Sequence, residues 1–223
     1  MFDRIADRYD LMNSVMTAGM HHRWRERAAD LARVGPGDRA LDVCCGTGDL
    51  ALELARHVGP TGTVIGCDFS EPMLELAREK SVQRWATTVR FEHADALDLP
   101  YEDQAFDAVT VGFGVRNLSD LERGLAEMRR VLKPGGRMVI LEITQPQRPP
   151  LSLFYSLWFD RVVPLLGTLA GDRDAYTYLP ESVRSFPSPH ALAERMAGAG
   201  MERIRVTVLA GGIIAIHSGS RAA

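Results

Sequence analysis

The sequence has few cysteines, no long apolar run and no large excess of charge of one sign. Its three cysteines, Cys44, Cys45 and Cys67, form no C-x-x-C pair, which argues against a disulfide framework or a structural metal and predicts small core residues. No apolar run reaches the roughly 18–20 residues that a membrane-spanning helix needs. The first residues have no long apolar core and no cleavage site, so we expect no signal peptide. A net charge of −3, with scattered Lys and Arg, gives no reason to expect nucleic acid. We therefore expect a cytoplasmic protein.

What the sequence does contain is a glycine turn at the end of an apolar run, Leu41-Asp42-Val43-Cys44-Cys45-Gly46-Thr47-Gly48. Glycine lacks a Cβ, so the backbone can turn sharply there and let a ligand approach closely. Asp68 closes the next apolar run about twenty positions on, the distance at which a βαβ unit places a carboxylate on a ribose. These features predict a nucleoside-bearing cofactor at the carboxyl edge of a parallel sheet.

Hydrophobic periodicity alternates between strand and helix along the chain. Strands are predicted near 39–44, 63–67, 88–92, 106–112, 137–143, 203–209 and 212–218, and helices near 21–33, 48–58, 70–84, 119–132, 151–166 and 188–199. Ser119-x-x-Glu122 resembles a capping box at the start of one helix. The short Ala210-Gly211-Gly212 link allows only a hairpin between the last two strands, so one of them must be antiparallel.

This pattern predicts an α/β protein with an open, mostly parallel sheet, one late antiparallel strand and helices on both faces. We expect a single domain over residues 1–223. Within it we expect an N-terminal helical cap at about 1–35 and a proline-rich lid insertion at about 147–187. The apolar stretch 151–166 is compatible with a packed core helix or with a hydrophobic cover over a substrate.

Two cofactors compete for the glycine turn. Gly46 to Ala51 fits G-x-G-x-x-G/A, so NAD must be considered, although a lone match is weak evidence and no second mononucleotide half is visible. S-adenosylmethionine has no pyrophosphate, so the turn would face its methionine end, and Asp68 would take both ribose hydroxyls. Asp95-Ala96 follows the third strand, where a group for the adenine amine is wanted. Three sites on successive strand ends favour S-adenosylmethionine.

Residues 41–52 resemble the first motif of class I methyltransferases, and the whole chain resembles the quinone-biosynthesis C-methyltransferases. The marks of the resemblance are Tyr9-Asp10-Leu11-Met12-Asn13 with His21 and Trp24, residues 112–117 (GFGVRN), residues 130–136 (RVLKPGG), and Tyr176-x-Tyr178-Leu179-x-x-Ser182 with Phe186-Pro187. Thr17 stands where the family usually has serine, and Thr144-Gln145 replaces its Ser-Lys.

The resemblance implies C-methylation of a prenylated quinol by S-adenosylmethionine without a metal. Gly112, where ubiquinone-directed relatives sometimes carry serine, favours demethylmenaquinol over the benzoquinol of the ubiquinone branch. A methyltransferase for another small molecule and a non-catalytic nucleotide-binding module stay open as alternatives. Contact with the inner face of the membrane and a homodimer are also left open.

Hydroquinone hydroxyls resemble tyrosine, with a pKa near ~10, so a cation or base beside the oxygen would promote the reaction. We predict that Arg116 stabilises the phenolate, Asn117 orients the ring or a water molecule and His21 relays a proton. Pairing of Arg116 with a carboxylate such as Asp120, and a packing or capping role for His21, are the alternatives. The predicted cofactor-binding residues are Asp42, Gly46, Thr47, Gly48, Asp68, Asp95, Ala96, Gly112 and Tyr9.

Overall fold

A computed structural model describes residues 14, 17, 19–146, 149 and 180–223. Its helices are α1 (Met20–Ala32), α2 (Asp49–Val58), α3 (Glu71–Gln83), α4 (Leu121–Val131) and α5 (Pro189–Gly198). Its strands are β1 (Arg39–Val43), β2 (Thr63–Asp68), β3 (Val89–His93), β4 (Phe106–Gly112), β5 (Leu132–Ile143), β6 (Met201–Leu209) and β7 (Ile214–Arg221). The predicted helix at 151–166 and most of the predicted lid lie outside the described residues.

The seven strands form one sheet in the order β3-β2-β1-β4-β5-β7-β6. Strands β1 to β5 pair in parallel, whereas β7 runs antiparallel to both β5 and β6. The predicted fold class, with one late reversed strand, is therefore confirmed. The strand order reverses direction between β1 and β4, which is where open α/β sheets bind their ligands.

Helices cover both faces of the sheet because alternate strand residues are apolar on each side. One core joins Trp24 and Ala28 of α1 to strand residues such as Ala40 and Val139. The other joins Leu125 of α4 to the remaining strand face. Burial on both faces explains why these strands appear in the sequence as continuous apolar runs.

The start of α4 differs from the sequence prediction. Asp120, not Ser119, is the N-cap: its Oδ1 accepts a hydrogen bond from the Arg123 amide at 3.0 Å. The capping-box prediction was wrong because Asp120 is an equally good capping residue one position later. Among the described residues, none of the helices combines the length and the apolar character required to cross a membrane.

Candidate functional site

The register of the parallel strands brings the predicted site residues to one edge of the sheet. Val43 of β1 is paired with Cys67 of β2 and with Val111 of β4, so these three strands end side by side. Asp68 is in turn paired with His93 at the end of β3. The loops that follow β1, β2, β3 and β4 consequently meet at the carboxyl edge, as the sequence predicted.

The glycine turn has one open side and one closed side. Gly46 has a φ of +55°, and a Cβ built on it would contact no atom of the described residues within 4 Å, so this backbone is not covered by any of them. Gly48 has a φ of +83° and is the N-cap of α2, and a Cβ there would lie 2.6 Å from the Phe91 ring. Gly48 is thus required by packing and conformation, whereas Gly46 leaves room for a ligand.

Asp68 holds the glycine turn in place. One carboxylate oxygen accepts the Gly46 amide hydrogen at 2.8 Å, and the other accepts that of Ser70 at 2.9 Å. Each of its carboxylate oxygens can accept more than one hydrogen bond. Asp68 therefore supports the loop that follows β1 from the end of β2.

Asp42 is a buried carboxylate in β1, 1 % exposed. The Thr110 hydroxyl donates to its Oδ1 at 2.7 Å, while Oδ2 has no hydrogen-bond partner among the described residues. Burial raises the pKa of Asp42 to about 7, against the lowering effects of Thr110, Arg25 and the Ala51 amide. A buried oxygen without a donor favours a cationic or hydrogen-bond-donating ligand.

A cationic cluster that the sequence reasoning missed supports the glycine turn from behind. Lys80 of α3 donates to Thr47 Oγ1 at 3.0 Å and to Asp49 Oδ1 at 2.8 Å, and Arg25 lies 3.9 Å from Asp49. Burial opposes ionisation of Asp49, but Arg25 and Lys80 hold its pKa below the usual value. These residues are far apart in the sequence, and neither cation belongs to a recognisable motif.

Arg116 follows β4 in a short helical turn, Val115–Asn117, and its partner is Glu142. Arg116 Nη1 donates to Glu142 Oε1 at 2.6 Å and to the Phe113 carbonyl at 2.6 Å. The two side chains are 7 % and 2 % exposed. The alternative that Arg116 pairs with a carboxylate is confirmed, but the partner is Glu142 and not Asp120, which caps α4. Glu142 was the missed residue, and a charge inside the apolar end of β5 was its signal.

His21 is buried in α1, and both of its ring nitrogens have partners. Nδ1 is in contact with Arg25 Nη1, and Nε2 lies 3.1 Å from Ser14 Oγ. A guanidinium can only donate, so Nδ1 must be the acceptor, and any ring proton lies on Nε2. The guanidinium of Arg25 also stacks 5.3 Å from the centre of the Phe113 ring, which links α1 to the loop after β4.

Asp95 and Ala96 lie where the sequence predicted them, just after β3. Asp95 is exposed and its Oδ1 accepts the Leu97 amide hydrogen at 2.9 Å, whereas Ala96 is buried. Gly112 ends β4, and a Cβ on it would meet Leu50 at 3.3 Å. Tyr9 lies outside the described residues.

Two residues at this edge have unusual backbone conformations. Cys44 and Phe113 have φ values of +52° and +61°, in the left-handed region that non-glycine residues rarely occupy. They directly follow the ends of β1 and β4, on either side of the point where the strand order reverses. Backbone strain of this kind, of order 1–3 kcal/mol each, is concentrated at functional sites.

His21, His22 and Asp49 place three metal-ligating atoms within 4.8 Å of one another. Arg25 contacts both His21 and Asp49, and Lys80 holds the same Asp49. A divalent cation would be repelled by these two charges, so this cluster does not suit a metal.

Comparisons of the sequence place this site in a family. The model of the ubiE/COQ5 methyltransferase family matches residues 1–221. A demethylmenaquinone methyltransferase of Thermus thermophilus is 50 % identical over 222 residues, covering 99 % of this chain and all of the relative. A ubiquinone/menaquinone biosynthesis C-methyltransferase of Teredinibacter turnerae is 42 % identical and covers 100 % of this chain and 90 % of the relative.

Solved structures are similar in fold. A SAM-dependent methyltransferase of Aquifex aeolicus has a TM-score of 0.65 at 21 % identity, with 88 % of both chains covered. The [4+2]-cyclase SpnF has a TM-score of 0.69 at 22 % identity, with 90 % of this chain and 80 % of the other covered. The fold alone therefore does not determine the reaction, which must be argued from the site. With the family model matching nearly its whole length, the chain belongs to the ubiE/COQ5 methyltransferase family.

Proposed function

We propose that this protein transfers a methyl group from S-adenosylmethionine to a ring carbon of a prenylated quinol, with demethylmenaquinol as the acceptor. One observation carries the proposal: in the described chain, three features lie at the same edge of the sheet. They are the open glycine turn at Gly46, the unpartnered oxygen of Asp42 and the buried Arg116–Glu142 pair. The high identity to a relative named demethylmenaquinone methyltransferase supports the choice of acceptor.

The donor fits the residues that are present. Asp42 Oδ2 lacks a donor within the described part of the chain, so it suits the ammonium of the methionine end. We assign Asp68, which holds the Gly46 amide, to the ribose hydroxyls, and within the described part of the chain the backbone at Gly46 leaves room for the ligand. Asp95 is exposed and close to the same edge, so we assign it to the adenine amine. We place Thr47, Ala96 and Gly112 in the wall of this site, and the role of Tyr9 in donor binding stays a prediction.

When bound, S-adenosylmethionine supplies an electrophilic methyl group: the new C–C bond forms as the S–C bond breaks, sulfur keeps the electron pair, and the ring carbon loses a proton. No metal is needed for this step, because the sulfonium is already a good leaving group. The protein must align the ring with the S–CH₃ axis, and such positioning can contribute ~7–11 kcal/mol.

Arg116 is the residue we assign to the quinol oxygen. Its Nη1 is used by Glu142 and Phe113, while its buried Nε has no partner among the described residues. That N–H can donate to a phenolate as negative charge develops on the ring oxygen. Glu142 is a positioning residue, since it fixes the guanidinium and balances its charge until the acceptor arrives.

Asn117 directly follows Arg116, and we assign it to the orientation of the ring or of a water molecule. The proton relay through His21 stays a prediction; with Nδ1 facing Arg25, only Nε2 could exchange a proton. Peripheral membrane contact and a homodimer also stay predictions.

The second candidate is methylation of the benzoquinol of the ubiquinone branch. The name of the Teredinibacter relative includes both quinones, so identity at this level does not by itself separate the acceptors. The resemblance favours demethylmenaquinol through Gly112, where ubiquinone-directed relatives sometimes carry serine; a Cβ there would lie 3.3 Å from Leu50, so a larger residue would require Leu50 to shift.

Turnover with labelled methyl donor tests the proposal. Incubation with demethylmenaquinol should give a labelled product, and Arg116→Leu should lower kcat/KM about 100-fold or more, as loss of an oxyanion donor does. The matched control is Arg90→Leu, which removes an exposed arginine from β3. Calorimetry should show binding of S-adenosylmethionine and none of NAD. If no quinol accepts the label, the proposed function is wrong. If Arg116→Leu keeps full activity, the role assigned to Arg116 is wrong.

A further inference from the structure

A basic concavity lies at the opposite edge of the sheet from the glycine turn. Its volume is about 680 Å³, within the range of ligand pockets. It is lined by Ala32, Arg33, Asp107, Lys133, Pro134, Gly135, Gly136, Arg137, Arg203, Arg205 and Ser220. Arg137 is paired with Ala108 near the start of β4 and with Ser220 near the end of β7. The pocket is therefore at the amino edge of the parallel strands, about 20 Å of β5 away from Glu142.

The charge of this pocket is opposite to that of the chain. Its lining contains five cations and one carboxylate, although the whole chain has a net charge of −3. Lys133 Nζ donates to both oxygens of Asp107 at 2.8 Å, so this pair neutralises itself. Four arginines remain, and a wall of one sign concentrates an oppositely charged ligand.

No carboxylate among the described residues pairs with these four arginines. Arg137 Nε donates to the Leu31 carbonyl at 3.0 Å, which leaves its guanidinium charge unbalanced. Burial lowers the pKa of Arg137, and repulsion by Arg33 and Arg205 lowers it further. Three like charges that act on one another this way destabilise the folded chain unless an anion joins them.

The backbone around the pocket holds the arginines in unusual conformations. Arg33 and Arg203 have φ values of +55° and +51°. An irregular pairing between Glu202 and Arg205 interrupts the β6–β7 ladder, as in a β-bulge, which re-aims side chains at the edge of a sheet.

We infer that this pocket binds a compact anion with more than one phosphate charge, free or as the headgroup of an anionic phospholipid. Each arginine guanidinium can donate two parallel hydrogen bonds to a pair of phosphate oxygens. Four guanidinium groups offer more donors and more positive charge than one carboxylate can satisfy. The lining has no aromatic residue, so nothing in it would stack on a nucleobase. The inference does not depend on the proposed methyl transfer, since the two sites share no residue.

Pyrophosphate is the first probe. Calorimetry with the full chain should show binding that weakens steeply with salt. Arg203→Gln/Arg205→Gln should weaken it about 100-fold, roughly tenfold for each arginine removed. Both arginines are exposed, so the variant should fold. The control Arg56→Gln/Arg90→Gln removes the same charge elsewhere and should bind like the parent.

Vesicles separate the two sources of phosphate. Recruitment to phosphatidylcholine vesicles containing cardiolipin, whose headgroup carries two phosphates, would identify a lipid headgroup if pyrophosphate competes with it and Arg203→Gln/Arg205→Gln abolishes it. Pyrophosphate binding without recruitment would identify a free anion. The inference is wrong if the parent chain binds neither probe, or if the control variant loses binding as much as the pocket variant. Methyl transfer by the pocket variant, measured without vesicles, should be unchanged.

Discussion

Substitution of Asp42 by asparagine should make the protein more stable and impair donor binding. The pKa of Asp42 rises from 3.8 to about 7 on folding because its carboxylate is buried. One pKa unit is worth about 1.4 kcal/mol, so ionising Asp42 in the folded chain costs about 4 kcal/mol of unfolding free energy. Asparagine avoids this cost and can still accept from Thr110.

The net gain in unfolding free energy is smaller than this. The asparagine NH2 group would replace Oδ2, which has no hydrogen-bond partner among the described residues, so the new donor would be unsatisfied. An unsatisfied buried group costs about 1–3 kcal/mol, so Asp42→Asn should be more stable by about 1–3 kcal/mol at pH 8. Between about pH 4 and 7 the folded parent chain binds more protons than the unfolded one, so its stability falls as pH rises. The advantage of the variant should therefore disappear by about pH 4.

Urea unfolding at several pH values measures this difference, with the exposed Asp98→Asn as the control. Binding of the donor's ammonium should also ionise Asp42, so calorimetry near pH 6.5 in buffers of different ionisation enthalpy should detect released protons. Asp42→Asn should abolish that release and weaken binding. If Asp42→Asn is no more stable than the parent chain at pH 8, burial of the Asp42 carboxylate does not have the cost worked out above. If Asp42→Asn releases as many protons on donor binding as the parent chain does, Asp42 does not contact the ammonium.

Other substitutions test the supports of the site by urea unfolding or calorimetry. Glu142→Ala should lower the unfolding free energy by about 3–5 kcal/mol because it leaves the charge of buried Arg116 unpaired, whereas Glu142→Gln, which keeps one acceptor but not the charge, should cost less. Gly48→Ala should lower the unfolding free energy more than Gly46→Ala does, since its Cβ would displace Phe91; Gly46→Ala, whose Cβ would enter the room left for the donor, should weaken donor binding more. Asp120→Ala should cost about 1 kcal/mol, and Ser119→Ala close to nothing, because only Asp120 caps α4. Equal effects within any of these pairs would contradict the corresponding contact.

The course of the chain through the sheet could be predicted from local pattern. Apolar runs buried on both faces mark β1, β2 and β4, and the glycine link 210–212 is too short for anything but a hairpin. Because parallel strands end at a common edge, the prediction also placed Gly46, Asp68 and Asp95 together. Each of these inferences needs only residues that are close in sequence, together with a general rule of sheet geometry.

The partners of the charged residues were decided by tertiary structure alone. Arg116 selects Glu142, 26 positions away, and Lys80 reaches Asp49 from another helix. Sequence spacing cannot reveal such pairs, because the free energy of a buried charge depends on which groups surround it after folding. The same reason explains why scattered arginines gave no signal along the chain yet form one basic pocket. The sequence by itself determined the order of elements and the edge at which a ligand binds, and only packing determined which side chains hold each charge there.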